Sequence, residues 1–194
     1  MIADYFNLRS VNKKRELEKL NQKIRNCKKC NLWKTRGEAV PGEGPMNAKI
    51  MLLGQAPGFE ESKTGHPFVG RAGKFLNKLL EIAEIKRGKI FITSPIKCFP
   101  PKNRKPTKKE IETCLPHLKK QIEIINSQKF ILLGEVAFSV FFPDKKLKDF
   151  RGKWVTLRQA QGKKKFFVTY HPAAGLRFPK IKKILIKDFR KLKT

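Results

Sequence analysis

Three groups of residues in this chain have the types and spacing to do chemistry. The first is one stretch, Gly54-Gln55-Ala56-Pro57-Gly58-Phe59-Glu60-Glu61-Ser62-Lys63-Thr64-Gly65-His66-Pro67-Phe68-Val69-Gly70-Arg71-Ala72-Gly73. It holds five glycines, two prolines, adjacent carboxylates and an aromatic, Phe68, that no core periodicity accounts for. Glycine lets a ligand approach the backbone closely, and the N-terminus of a following helix favours negative charge. The second group is Cys27-x-x-Cys30, followed after a long gap by Cys98 and Cys114. A Cys-x-x-Cys turn presents two thiolates to one metal centre, and the other two close the shell if the fold brings them together. Four thiolates suit a tetrahedral zinc or an iron–sulfur cluster, and the spacing leaves both open. The third is His171, in a His-Pro turn directly after an apolar run, where the turn keeps the chain from hiding the imidazole.

The flanking elements decide how these groups are held. Lys49-Ile50-Met51-Leu52-Leu53 reads as a buried strand entering the glycine-rich stretch, and Lys74 to Ile82 carries apolar residues at helical spacing on leaving it. Val11 to Asn26, with Leu17, Leu20 and Ile24 on one face, reads as an amphipathic helix leading into Cys27. Lys89 to Thr93 is a second strand, and the prolines of Ser94 to Pro106 keep that segment out of a helix. Thr107 and Glu110 form a capping-box pattern that starts a helix through Ile111, Cys114, Leu118 and Ile122. Phe130 to Leu133 is a third strand, ended by Gly134 and followed by a short helix to Phe142. Trp154 to Leu157 and Phe166 to Thr169 read as two strands around a polar tip at Arg158 to Lys163, and a helix through Ile181, Ile184, Leu185 and Phe189 closes the chain. Strands alternating with helices predict a three-layer α/β/α domain with a mainly parallel sheet. Ligands of such sheets lie beyond the carboxyl ends of the strands, which points to the loops after Leu53, Thr93 and Thr169.

The 194 residues suit a single domain, 1–194, and a hydrophobic fraction of 40% excludes a wholly disordered chain. Lys and Arg number 45 against 16 Asp and Glu, a formal net charge of +29. Such an excess calls for an acidic partner, with nucleic acid first and an anionic membrane surface second. The opening residues lack the apolar core of a signal peptide, and the apolar region Phe130 to Phe142 is too short to span a bilayer. A soluble, cytoplasmic, nucleoid-associated protein without a membrane partner is expected, and in that reducing setting the cysteines read as ligands rather than disulfides.

The glycine-rich stretch, the cysteine set, Lys97-Cys98-Phe99-Pro100-Pro101-Lys102-Asn103-Arg104 and His171-Pro172-Ala173-Ala174 together resemble the family 4 uracil-DNA glycosylases, in the same order along the chain. The resemblance runs from Cys27 to Pro179 and includes Gly65-x-Pro67-Phe68-Val69-Gly70-Arg71-Ala72-Gly73. It implies a four-stranded parallel sheet flanked by helices and a [4Fe–4S] cluster on Cys27, Cys30, Cys98 and Cys114. It implies excision of uracil from DNA, single- or double-stranded, by a monofunctional enzyme, and a monomer is expected. His171 would donate a hydrogen bond to the departing base, Phe68 would stack on it, and Glu61 would orient or activate water. Gly54, Gln55 and Ala56 would line the base pocket. Arg71, Asn103, Arg104, Leu176 and Arg177 would meet DNA, with Leu176 or Arg177 as the wedge in place of a large residue that relatives often carry where this chain has Gly175.

Three residues depart from the family pattern. Gln55 stands where a Glu is usual, Ser62 where an Asp is common, and Ser94 where an Asn reads the uracil edge. A hydroxyl is a shorter and less discriminating contact than an amide, so weaker selectivity among deaminated bases is expected. Gln55 and Ser94 also suit an alternative, a catalytically weak DNA-binding or damage-sensing paralogue. A zinc-stabilised RNA-binding protein is a third reading, favoured by charge and not by the paired loop motifs.

Overall fold

The computed structural model of the protein describes residues 2–159 and 162–193, with the backbone alone described for residues 2–11, 158 and 159. Apolar runs without a polar alternation need burial on both faces, as in a parallel sheet covered by helices. That is where they lie. The strands are β1 (Ile50–Leu53), β2 (Ile90–Thr93), β3 (Lys129–Leu133), β4 (Trp154–Gln159) and β5 (Gly162–Thr169), in the spatial order β2-β1-β3-β5-β4. The first four in that order are parallel, and β4 joins the edge antiparallel to β5. The sheet therefore has the five strands that the chain was read to contain, where the family resemblance implied four. The extra strand follows from chain length: two residues between β4 and β5 allow a hairpin but not the crossover that a parallel pair requires. Ala160 and Gln161, at the expected polar tip, lie outside the described residues.

The period-two geometry of the strands sorts their side chains into two cores. Met51, Leu53, Phe91, Phe130, Leu132, Phe166 and Val168 face one way, against α1 (Ile2–Arg25), α4 (Lys108–Ile125) and α5 (Glu135–Phe141). Leu52, Ile90, Ile92, Ile131, Leu133 and Phe167 face the other, against α3 (Arg71–Ile82) and α8 (Pro179–Arg190). Leu17, Leu20 and Ile24 are buried as their spacing predicts, although α1 begins well before Val11. The capping box at Thr107 is present: its hydroxyl accepts from the Glu110 amide at 3.2 Å, and the Glu110 carboxylate accepts from the Thr107 amide at 2.8 Å.

Three short helices complete the chain: α2 (Phe59–Thr64), α6 (Leu147–Phe150) and α7 (Pro172–Arg177). Two of them lie where the sequence suggested only loop or turn. Six residues, fewer than two turns, are too few to display an apolar period, so neither α2 nor α7 has a signal of that kind. In register, Leu53 lies opposite Thr93 and Leu132, and Leu133 lies opposite Thr169. The chain thus leaves β1, β2 and β5 at one edge of the sheet, where the three predicted loops meet. Among the described residues, no helix is long and apolar enough to cross a membrane.

Candidate active site

At that edge lies an open cleft of about 740 Å³, lined by the segments after β1, β2 and β5 and by the start of α3. It gathers Gly54, Gln55, Ala56, Glu61, Phe68, Ser94 and His171 in one place, with Arg71, Asn103, Arg104, Leu176 and Arg177 also along its walls. Among the predicted site residues, only the cysteines lie elsewhere.

Phe68 is set into this cleft by steric constraint. Its backbone is left-handed, with φ 54°, a conformation that costs an ordinary residue about 1–2 kcal/mol and persists only where the surroundings dictate it. Two glycines leave room for it. A Cβ on Gly73 would lie 1.8 Å from the Phe68 carbonyl oxygen, and one on Gly54 would lie 2.8 Å from ring atoms Cε2 and Cζ. Upstream, Arg87 donates to the Pro67 carbonyl at 2.7 Å and to Glu43 at 2.9 Å, while Glu43 also meets His66 Nδ1 at 3.0 Å. The ring that results lies 5.7 Å from the His171 imidazole, centroid to centroid, at an interplanar angle of 26°.

His171 is the N-cap of α7, and its Nδ1 accepts from the Ala173 amide at 3.3 Å. A neutral imidazole that accepts at Nδ1 carries its proton on Nε2. Nε2 is the atom on the Gly54 side, 3.8 Å from where a Gly54 Cβ would be. Part of the residue opens on the cleft, but protein crowds the ring, and that burial pushes its pKa down to about 4. The site therefore presents a neutral N–H donor near pH 7.

Glu61 also faces the cleft, but its two oxygens have structural partners: Oε2 accepts from the Gly58 amide at 3.1 Å and Oε1 from the Gly70 amide at 2.9 Å. The carboxylate therefore ties the start of α2 to the start of α3. Each oxygen keeps a further lone pair for a water or a ligand. Ser62 is buried, and its hydroxyl accepts from the Gly37 amide at 2.9 Å, which anchors the preceding connection to α2. Ser94 is buried beside the cleft and spends its hydroxyl proton on the Ile96 carbonyl. Toward the cleft it is left as an acceptor only. Arg104 grips Glu110 with both terminal nitrogens, at 2.8 and 2.6 Å, and this holds the Glu110 carboxyl down at about 2. Gly175 faces inward, since a Cβ there would lie 2.6 Å from Leu185 Cδ1 and 2.8 Å from Phe75 Cε1. No large residue fits at that position, whereas Leu176 is 43% exposed on the cleft.

The four cysteines are free thiols. Cys98 and Cys114 are buried in one small apolar cluster with Leu32 and Ile96, and Cys30 packs against it. Among the described residues, no group of three or more His, Cys, Asp or Glu side chains is drawn together as a metal-ion site. Basic groups surround the sulfurs: Arg36 Nη1 donates to Cys98 Sγ at 2.9 Å, and His117 Nε2 lies 3.4 Å from Cys27 Sγ. Burial pushes both buried thiols up, Cys114 to about 11, against the pull of Lys97 on Cys114 and of Arg36 on Cys98.

Two residues, Lys97 and Phe59, escaped the sequence reading, and so did the backbone partners of Glu61. Lys97 is fully buried and donates to Thr93 Oγ1 at 2.5 Å, Gln121 Oε1 at 2.6 Å and the Pro41 carbonyl at 3.1 Å; burial lowers its pKa to about 7. Nothing in sequence marks a lysine as buried when its partners lie far off in the chain. Glu61 gave a detectable signal, since a Glu three residues after a glycine that precedes a helix is half of a capping box. Phe59, exposed at the mouth of the cleft, was passed over as part of a loop.

Strand-end loops that hold an aromatic ring beside a neutral imidazole donor define a pocket for a planar, hydrogen-bonding ligand. Residues 41–193 match the family model described as the Uracil DNA glycosylase superfamily, and the chain belongs to that superfamily, in its type-4 branch. The type-4 uracil-DNA glycosylase of Saccharolobus solfataricus is 45% identical over 91% of this chain and 85% of its own length. That of Sulfurisphaera tokodaii is 42% identical over 91% and 83%, and that of Pyrobaculum aerophilum 42% over 89% and 91%.

The lowered His171 pKa has a measurable consequence. The unfolded residue binds its proton near pH 6.5 and the folded one near 4. Its contribution to stability is therefore complete above about 6.5 and is lost as pH falls toward 4. In an NMR titration, His171 is expected to keep the Nε2–H tautomer unchanged from pH 8 to 5. A midpoint near 6.5 would show that the ring is not held neutral by its surroundings.

Proposed function

We propose that this protein excises uracil from DNA by hydrolysing the bond between deoxyribose and base, leaving an abasic site. The observation that carries the reading is the neutral His171 Nε2–H beside the Phe68 ring, at the bottom of a cleft rimmed by basic residues. A base inside a duplex is out of reach, so it is extruded into the cleft, with the protein's positive charge holding the phosphates. Phe68 stacks on the extruded base. As the C1′–N1 bond breaks, its electron pair moves onto the base and leaves positive charge on the sugar. His171 hydrogen-bonds a base oxygen where negative charge builds, which stabilises the transition state more than the ground state. Water then bonds to C1′, and the proton it gives up passes to solvent, from which the departed uracil anion regains one. Glu61, held by two backbone amides, supplies a fixed negative charge and a spare lone pair for that water. Gln55 lines the pocket as a neutral amide that hydrogen-bonds but does not act as a base.

Cys27, Cys30, Cys98 and Cys114 are proposed to hold a [4Fe–4S] cluster. The fit rests on the donor set: four unpaired thiols, two of them buried together, with Arg36 and Lys97 beside them to offset the charge of thiolate ligation. When bound, the cluster would crosslink the end of α1, the segment after β2 and α4. The excision chemistry above needs only the cleft residues. Selectivity is expected to be looser than an amide would give, because Ser94 turns its proton away from the base.

Purified protein incubated with oligonucleotides carrying one uracil, then treated with alkali, should give strand breaks at that position. His171→Ala should lower the rate by about 10²–10³-fold. No abasic product at stoichiometric protein would replace the enzyme reading with that of a DNA-binding paralogue. Iron and acid-labile sulfide should copurify with the protein and be lost in Cys98→Ser. Stoichiometric zinc without sulfide would contradict the cluster.

A further inference from the structure

Phe59 is the first residue of α2 and lines the cleft, yet 54% of its surface is exposed. A single exposed apolar side chain is ordinary on a protein surface. This one has a setting that a chance exposure lacks. Phe99 approaches it at 63° with centroids 6.2 Å apart, an edge contact that fixes the ring without covering it. Lys63, one helical turn on, places its ammonium over one face of the ring, 4.2 Å from the centroid, and 3.7 Å from the exposed Glu60 carboxylate. The result is a steadied aromatic ring with an ammonium over one face and the other face open, at the mouth of a cleft whose floor already holds a second aromatic, Phe68. An aromatic face next to a cation is what a nucleobase and its phosphate need from a single-strand binding surface.

We infer that Phe59 and Lys63 form a separate subsite for a nucleotide flanking the extruded one, with its base stacked on the face of the Phe59 ring opposite Lys63 and its phosphate within reach of the Lys63 ammonium. The inference rests on the glycosylase reading above. Stacking of this kind tolerates any base because every base has a π-face. The subsite would therefore add affinity without adding sequence preference, and would hold the backbone on one side of the scissile nucleotide while its base turns into the cleft.

The test uses single-stranded oligonucleotides with one uracil, whose 5′ or 3′ neighbour is either adenine or a base-free tetrahydrofuran residue. For the wild-type protein, removing the neighbouring base on one side should raise KM and the anisotropy Kd on the order of 5- to 100-fold. Phe59→Ala should show a loss of that size on the intact substrate, carried by KM rather than kcat, and should no longer respond to removal of the neighbour. Phe59→Leu, which keeps apolar bulk against Phe99, should behave like Phe59→Ala, while Phe59→Trp should retain the dependence. The inference is overturned if the Ala variant keeps the wild-type KM, if its dependence on the neighbour persists, or if Leu serves as well as Phe. Absence of uracil release by the wild type would instead refute the glycosylase reading, and anisotropy with the same oligonucleotides would still decide whether Phe59 contacts a flanking base.

Discussion

The site depends on how Phe68 is fitted into the chain. A phenylalanine with left-handed backbone is held between two glycines, one of which has Phe68's carbonyl oxygen where its side chain would begin. Gly73 is in α3 and Gly54 follows β1, so the ring is located by two rigid elements rather than by its own loop. Glu61 reinforces the arrangement by tying Gly58 to Gly70 through its carboxylate, and Arg87 holds the Pro67 carbonyl just upstream. A stacking surface fixed in this way needs little reorganisation when a base arrives, and preorganisation of that kind is where binding and catalysis gain most.

The thiol group and the cleft share one piece of chain. Thr93 ends β2, Ser94 borders the cleft and Cys98 enters the buried cysteine cluster, all within one short segment. Lys97 stands between them, buried, with hydrogen bonds to Thr93, to Gln121 of α4 and to the Pro41 carbonyl. A buried ammonium without a carboxylate partner is costly unless its donors are satisfied, and these three acceptors satisfy them. Lys97 thereby couples the strand end, α4 and the connection before β1. A crosslink through the cysteines would stiffen the wall of the cleft from behind without touching the reacting atoms.

Much of this was legible in the chain, and the rest failed for identifiable physical reasons. The central strands were readable because burial on both faces demands continuous apolar runs, and the capping box announced α4. The α2 and α7 turns were invisible because six residues are too few to show a period, so the opening stretch read as a plain loop. Motif matching pointed to His171, but its tautomer depends on the Ala173 amide, a contact that only the folded turn creates. Glu61 was placed by its motif, and its bond to the Gly58 amide has a capping-box signal, but the Gly70 amide becomes its partner only once α2 and α3 are placed. Gly175 looked like a missing wedge, whereas it faces Leu185 and Phe75 and permits α7 to pack closely. The positions of residues were thus easier to foresee than the directions of their polar groups.

The central claim is that Phe68 and the Nε2–H of His171 form one preset pocket for the departing base. A crystal structure of the protein with uracil, or with an abasic product and free uracil, tests it most directly. The account predicts the base lying against the Phe68 ring with a carbonyl oxygen within hydrogen-bonding distance of His171 Nε2, and with both side chains in the positions described above. A base bound away from Phe68, or a His171 ring turned so that Nδ1 faces the ligand, would contradict it.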